Sequence, residues 1–178
     1  MHLAASLVLL TALTGAHGLV AQRDAAPVIA VLTAVQNDID GLDTAVQGWT
    51  TDPAPVLDAS NQLVATIGQG TTTVQGTADL TLEESLDLLP PVDSLKQHAQ
   101  TLVDDLKAKK DVIQQAGLCE IVSGQIADIS AASKQLIDAT VSKVPPEAQD
   151  IAAQQAQGIN DVLADAQTAF SAENCTNA

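Results

Sequence analysis

The sequence predicts an all-α protein, an up-down bundle of about five to six helices in a single domain. Along most of the chain, apolar residues recur at alternating steps of four and three, which is the spacing of one helix face. Proline and glycine interrupt this pattern at intervals suited to short turns. No stretch shows the two-residue alternation that is typical of strands. A chain of 178 residues is long enough for one such domain.

A secretory signal peptide is predicted over residues 1–18. An apolar run from Leu3 to Leu13 precedes the small-x-small triplet "AHG", which has the form of a cleavage site. We therefore expect a secreted, extracellular protein whose mature domain covers 19–178, or starts at Asp24 if a protease trims after Arg23. Because neither this run nor any later stretch is long and apolar enough to cross a bilayer, no transmembrane segment is expected.

The first two mature helices are expected from Pro27 to Trp49 and from about Val56 to Ala78, with a break at "TTDPAP". The glycines in "IGQGTTTVQG" each cost about 1 kcal/mol relative to alanine, so a kink or a frayed second half is expected in the second helix. The first stripe is Val28, Leu32, Val35, Ile39, Leu42, Val46 and Trp49. The second stripe is Val56, Ser60, Leu63, Ile67, Gly70 or Thr71, and Val74.

A short third helix, "TLEESLDLL", begins at a capping-box pattern formed by Thr81 and Glu84 and ends at Pro90-Pro91. Its leucines are expected to share one face: Leu82, Leu86 and Leu89. This helix and the glycine-rich second helix are expected to be the mobile elements of the bundle.

Three further helices are expected over Pro91 to Ala116, Leu118 to about Lys143, and Glu147 to about Phe170. Gly117 is a good stop for the first of them, and "VPP" turns the chain before the last. Their stripes are Leu95, Ala99, Leu102, Leu106 and Ile113; Val122, Ile126, Ile129, Leu136 and Val141; and Ile151, Ile159, Val162, Ala166 and Phe170.

The composition excludes several classes of function. With 22 Asp and Glu against 7 Lys and Arg, the net charge of −15 repels nucleic acid and anionic membranes. The chain has no Tyr, one Trp and one Phe, so the aromatic platforms on which sugars and bases usually stack are scarce. The apolar content is aliphatic instead.

Neither catalysis nor a metal site is expected. His98 is the only histidine after the leader, and it flanks the stripe of the fourth helix as a boundary residue. The sequence has no nucleophile elbow and no H-E-x-x-H motif, and its cysteine and histidine ligands are too few for zinc. The acidic stretch "DIDGLD" lacks the later ligands of a calcium loop and is interpreted as a solvated helix face. We predict a non-enzymatic protein without a cofactor.

The two cysteines, Cys119 and Cys175, are expected to form a disulfide because secretion takes the chain through an oxidising route. If the last two helices are antiparallel neighbours, both cysteines lie at the same end of the bundle. The bond would then stabilise the fold by about 4 kcal/mol in the chain-entropy model. Two free thiols are the alternative. Asn174 lies in "NCT", a weak glycosylation pattern.

The aliphatic stripes leave three interior arrangements open. Close approach of the helices would give a dry, filled core, whereas looser packing would leave an apolar void suited to an alkyl chain. A loosely held helix could instead open and lay its aliphatic face on an apolar surface. Because the disulfide pins the last helix, any opening is expected in the first four helices.

Four stretches of the chain carry a resemblance to a known family. They are "VIAVLTAVQNDIDGLDTAVQGW", "LDASNQLVATI", "LEESLDLLPPVDSL" and "DLKAKKDVIQQAGLCEIV", which follow an Arg-Asp-Ala junction and precede a final helix after Val-Pro-Pro. This pattern of aliphatic positions and helix breaks resembles the fungal hydrophobic surface-binding protein family (HsbA), which includes cell-wall galactomannoproteins. The resemblance covers nearly all of the mature chain.

The resemblance implies a small secreted helical bundle. Some members adsorb to hydrophobic solid surfaces and recruit a secreted esterase there, and some wall-associated relatives enclose fatty acids. Several relatives continue into a Ser/Thr-rich stalk with a glycosylphosphatidylinositol signal, whereas this sequence ends at "ENCTNA". A freely secreted form is therefore favoured over covalent anchoring to the cell wall.

We therefore predict a binder of apolar material, either a fatty acid or other lipid held in the bundle or a hydrophobic solid at its surface. The alternative is a structural cell-wall mannoprotein or secreted antigen with a filled core and no ligand. The predicted ligand contacts are mid-helix stripe positions: Val35, Ile39, Leu63, Ile67, Leu102 and Leu106. Candidates for meeting a carboxylate at the rim are Lys96, His98 and Lys107.

Overall fold

Seven α-helices and one 3₁₀ turn form the regular structure of residues 25–178, the part of the chain that the computed structural model describes. The predicted signal peptide and both candidate mature N-termini lie outside the described residues. The helices are α1 Ala26–Gly48, α2 Ala54–Gln75, α3 Leu82–Asp87, α4 Leu89–Ala108, α5 Lys110–Gln115, α6 Cys119–Lys143 and α7 Gln149–Ala169, with the 3₁₀ turn at Pro146–Ala148.

The five long helices close into a ring. Helix α1 packs against α2 and α4, α2 packs against α6, α6 packs against α7, and α7 returns to α4. In chain order the long helices alternate in direction, so the prediction of an all-α up-down bundle is confirmed. A ring of five helices surrounds an axial space that side chains must fill, because none of the described helices runs along its centre.

Spatial neighbours in this ring are often parallel. Side-chain contacts join Gln36 to Ser94, Asp40 to His98 and Gln47 to Asp105, always 58 residues apart, so α1 and α4 run in the same direction. The chain therefore makes two crossings, one at each end of the bundle. Helix α3 makes the crossing from α2 to α4, and α5 makes the crossing from α4 to α6 at the opposite end.

The crossing at α5 corrects the predicted fourth helix, which ran unbroken from Pro91 to Ala116. The structure divides it at Lys109, whose ammonium donates hydrogen bonds to the carbonyl oxygens of Gln47 at 2.9 Å and Trp49 at 3.0 Å. The lysine thus provides hydrogen-bond donors for carbonyl groups at the C-terminus of α1. Its positive charge also interacts favourably with the negative end of the helix dipole there. Gly117, at φ 72°, ends α5 as expected.

The structure also corrects where the third helix ends. Helix α3 ends at Asp87, and Pro90 and Pro91 lie in the first turn of α4, where a missing N–H leaves no hydrogen bond unmade. The capping box of Thr81 and Glu84 is present as expected. Leu82 and Leu86, two of the leucines expected to share a face, are exposed, and α3 turns Ser85 towards the bundle.

The glycine-rich second helix is continuous from Ala54 to Gln75, so the expected kink or frayed half is not found. Helix α1 approaches α2 so closely at Gly70 that a Cβ atom there would overlap Cγ1 of Val31. The following threonines donate their hydroxyls to carbonyls one turn earlier, at 3.0 Å for Thr71 to Ile67. Glycine is therefore required at position 70 by packing, despite its low helix propensity.

We expect Gly70→Ala to lower the free energy of unfolding by about 1 to 2 kcal/mol, because overpacking outweighs the gain in helix propensity. The matched control is Gly68→Ala, two residues away, where an added Cβ meets nothing within 4 Å. That control should raise stability by up to about 1 kcal/mol. Urea unfolding of both variants checks this, and equal effects at the two positions would contradict it.

The disulfide between Cys119 and Cys175 is present, with a Cα–Cα distance of 5.5 Å and a separation of 56 residues. The tail is held by further contacts, since the side chain of Asn177 accepts a hydrogen bond from the Cys119 backbone at 3.1 Å. The amide nitrogen of Asn174 donates to the carbonyl of Thr168 at 2.8 Å. Glycosylation of Asn174 stays a prediction, and it would compete with this hydrogen bond.

Candidate functional site

Two adjoining apolar cavities lie along the axis of the ring. One, of about 110 Å³, lies in the half of the bundle that carries the disulfide, and we call it the disulfide-end cavity. The other, of about 100 Å³, lies beneath α3, and we call it the α3-end cavity. Of the three interior arrangements that the sequence left open, the structure therefore has an apolar void. Cavities of this size lined by aliphatic side chains exclude water and accept apolar ligands.

The two cavities meet at a waist to which each long helix contributes one side chain. The five waist residues, which line both cavities, are Val35, Ile67, Leu95, Ser133 and Ile159. On α1 the combined lining runs from Leu32 to Val46, which at 1.5 Å per residue is a length of about 21 Å. An extended long-chain fatty acid is of comparable length, provided that it passes through the waist.

All six sequence-predicted contact residues line the disulfide-end cavity, and two of them also form part of the waist. Sequence reasoning missed the α3-end cavity, since none of the predicted contacts came from α3, the second half of α6 or the first half of α7, which all contribute to its walls. One signal was available. The apolar stripe of α6 is interrupted between Ile129 and Leu136, and Ser133 fills that gap at the waist.

Few polar groups face the cavities. Ser60 on α2 donates a hydrogen bond to the side-chain oxygen of Gln125 on α6 at 2.6 Å, and both residues line the disulfide-end cavity. In the α3-end cavity, Ser85 and Thr140 donate to backbone carbonyls of their own segments, each at 2.8 Å. An interior with so little polar surface favours an alkyl chain over a polar ligand.

The three candidates for the rim do not line either cavity, and each faces a carboxylate. His98 lies 2.5 Å from Asp40, and Lys96 lies 3.0 Å from Asp93. Lys107 forms an ion pair with Asp165. These pairs lie at the outer surface, where they join neighbouring helices or turns.

The two ends of the axial space differ in how firmly they are closed. Large side chains fill the disulfide end: Trp49, Ile113 and Phe170 are all buried. At the other end, Leu86 on α3 and Ile151 on α7 line the cavity and are still 42% and 40% exposed. Helix α7 buries only Val162 and Ala166, both in its second half. Opening is therefore favoured at the first half of α7 and α3, rather than in the first four helices alone.

An acidic group at the junction of α1 and α4 gives the fold a pH dependence. Burial raises the pKa of Asp43, and the nearby carboxylates of Asp105 and Asp40 raise it further, against a lowering effect of His98. The side-chain amide of Gln47 bridges the pair, donating to Asp43 at 2.8 Å and to Asp105 at 2.6 Å. The ionised form of Asp43 is thus disfavoured in the folded chain.

We expect Asp43→Asn to stabilise the protein at neutral pH, because ionised Asp43 costs the fold stability that it does not cost the unfolded chain. As pH falls through the raised pKa and then below the ordinary value of 3.8, both states bind the proton and the advantage disappears. Urea unfolding across this range measures it. The exposed Asp58→Asn serves as the control for lowered net charge, and an equal gain there would contradict the assignment.

Sequence comparison identifies the family and the known proteins to which this chain is similar. Residues 25–142 match the model of the protein family described as hydrophobic surface binding protein A. Cell wall mannoprotein 1 of Aspergillus flavus is 30% identical over 134 residues, which are 75% of this chain and 49% of the relative. Its namesake in Aspergillus fumigatus is 33% identical over 139 residues, 78% of this chain and 49% of the relative. The chain thus spans about half the length of these curated relatives.

Solved structures share the fold. Ligand binding domain 2 of the Penicillium marneffei MP1 protein, complexed with multiple arachidonic acids, superposes with a TM-score of 0.81 at 24% identity, covering 85% of this chain and 98% of that one. The crystal structure of AFMP4P in complex with palmitic acid gives 0.77 at 25% identity, covering 83% of this chain and 100% of that one. Within residues 25–178, no helix has the length and apolar character needed to cross a membrane.

Proposed function

This chain belongs to the hydrophobic surface-binding protein A family, and from that premise we propose that it encloses the alkyl chain of a lipid, such as a fatty acid, in its central space. The protein is proposed to be secreted and non-enzymatic, with its site of action in the medium or at the cell wall. The mannoprotein relatives support the wall as a location.

One observation carries this proposal, the pair of cavities that meet at the waist. Their walls are almost wholly aliphatic, and each methylene group that leaves water for such a wall contributes about 0.8 kcal/mol. A long alkyl chain therefore needs no specific polar contact to bind tightly. The fatty acids bound by the MP1 domain and by AFMP4P support the same use of this fold.

Native mass spectrometry of the protein secreted by its own host, before and after solvent extraction, tests the proposal. We expect extraction to remove mass that corresponds to bound lipid, and added palmitic acid to restore a complex. If extraction leaves the mass unchanged and the protein takes up no palmitic acid, the proposal is wrong. That result would favour the alternative of a structural wall protein without a ligand.

Adsorption to a hydrophobic solid is a second candidate function, favoured by a different observation. Among residues 25–178, the large apolar side chains that remain exposed are Leu82, Leu86, Ile121 and Ile151. Leu82 and Leu86 lie one helical turn apart on α3 and present a small apolar face to solvent. Recruitment of an esterase to such a surface stays a prediction.

If this face contacts the solid, Leu82→Ser with Leu86→Ser should reduce partition of the protein onto polystyrene beads. Ile121→Ser, on α6, is the control, since it removes one exposed side chain far along the chain from α3. Partition that falls equally in both variants would argue against α3 as the adsorbing face.

A further inference from the structure

The positively charged side chains of residues 25–178 lie outside both cavities. None of the described residues that line either cavity is a lysine, an arginine or a histidine. Lys96 and Lys107 pair with surface carboxylates, and Lys109 and Lys143 donate to backbone carbonyls. An anionic head group would find no counter-ion inside, and the net charge of −15 repels it on approach.

One polar pair is nevertheless built into the wall of the disulfide-end cavity. Ser60 is 3% exposed, and its hydroxyl donates a hydrogen bond to the side-chain oxygen of Gln125, with an oxygen–oxygen distance of 2.6 Å. Gln125 is half-buried, and its amide hydrogens have no hydrogen-bond partner among the described residues. The hydrogen bond between Ser60 and Gln125 also leaves lone pairs on both oxygens. The pair therefore offers a donor and an acceptor side by side in an aliphatic wall.

We propose that the central space selects lipids with an uncharged head group that both donates and accepts a hydrogen bond, and that Ser60 and Gln125 receive that group. This inference rests on the proposed lipid-binding function. A hydroxyl or a protonated carboxyl accepts a hydrogen bond from the amide of Gln125. It also donates one to an unused lone pair on the side-chain oxygen of Ser60 or Gln125. An ionised carboxylate or sulfate can accept a hydrogen bond but cannot donate one. The lone pairs of the Ser60 and Gln125 oxygens would then face its negative oxygens, and no positive charge would neutralise it.

Displacement of a fluorescent alkyl probe from solvent-extracted protein at neutral pH tests the preference. The competitors are hexadecanol, hexadecyl sulfate and hexadecyltrimethylammonium, which share one alkyl chain, each used below its aggregation concentration. We expect hexadecanol to bind about tenfold or more tightly than hexadecyl sulfate, as one unmade buried hydrogen bond implies. The cationic competitor separates hydrogen bonding from simple charge, because it is attracted by the net charge but cannot donate or accept.

Two variants assign the preference to the pair. Gln125→Leu and the smaller change Ser60→Ala should each weaken hexadecanol binding and narrow its advantage over the sulfate. Gln135→Leu, which removes an exposed amide from the same helix and lines neither cavity, is the control and should leave the ratio unchanged. Circular dichroism and an alkane competitor report whether each variant keeps its fold and its apolar space.

Each other outcome overturns a stated part of the inference. If hexadecyl sulfate or the ammonium compound binds as tightly as hexadecanol, the preference for a neutral head group is wrong. If the preference survives in both variants, or disappears in Gln135→Leu instead, the assignment to Ser60 and Gln125 is wrong. If no competitor displaces the probe and no alkane binds, the proposed function fails, and this inference fails with it.

Discussion

Ser133→Phe is expected to abolish tight binding of palmitic acid while leaving the helical fold intact. Ser133 lies at the waist and lines both cavities, so a phenyl ring there closes the passage between them. A long alkyl chain is then confined to one cavity. If about four methylene groups are excluded, the loss is about 3 kcal/mol, or more than about a hundredfold in affinity.

The length of the ligand distinguishes a closed waist from a damaged protein. Octanoic acid, which is short enough to stay on one side of the waist, should bind the variant and the parent protein with similar affinity. The control substitution is Ala131→Phe, which adds the same ring to an exposed position of α6 two residues away. Calorimetric titration measures both ligands. Unchanged palmitic acid binding by a folded Ser133→Phe protein would show that the cavities are not joined through the waist.

Filling the waist should also raise stability rather than lower it. Ser133 lines an empty apolar space, and its hydroxyl has no hydrogen-bond partner among the described residues. The substitution therefore removes void without leaving a buried polar partner unpaired. A variant that is more stable but binds less lipid would illustrate the cost that an open ligand space imposes on the fold.

Loss of the disulfide is expected to have the largest effect on stability. Cys119→Ser with Cys175→Ser releases a closed loop of 56 residues, which the chain-entropy model values at about 4 kcal/mol. For a domain of this size that corresponds to a fall in Tm of about 10 °C. Helix α7 depends strongly on the bond, because only two of its own side chains, those of Val162 and Ala166, are buried.

Hydrogen exchange should show where the structure loosens. Relative to the parent protein, amides in the second half of α7 and the first turn of α6 should lose the most protection, since the disulfide joins these segments. Asn177→Ala serves as the comparison, because it removes the contact at the start of α6 but keeps the bond, at a cost of about 1 kcal/mol. A greater loss of protection in α1 or α2 would contradict this description of the bundle.

Helix positions were the part of the structure most accessible from the sequence. The stripes predicted for the first two helices are buried throughout, from Val28 to Trp49 and from Val56 to Val74. The errors occurred where tertiary contacts replaced local signals. Lys109 breaks a periodic segment because its ammonium reaches the end of α1, and Gly70 sits in an unbroken helix because Val31 leaves no room for a larger residue.

The sequence by itself determined that the chain is helical, which faces of α1 and α2 are buried, which cysteines pair, and that the interior is aliphatic. Only the tertiary structure decided which helices are neighbours, because the crossings at α3 and α5 bring the parallel pair α1 and α4 together. It also decided that the core is hollow. The volume of a cavity is the difference between the space among five helices and the side chains that fill it, and no single stripe contains that difference.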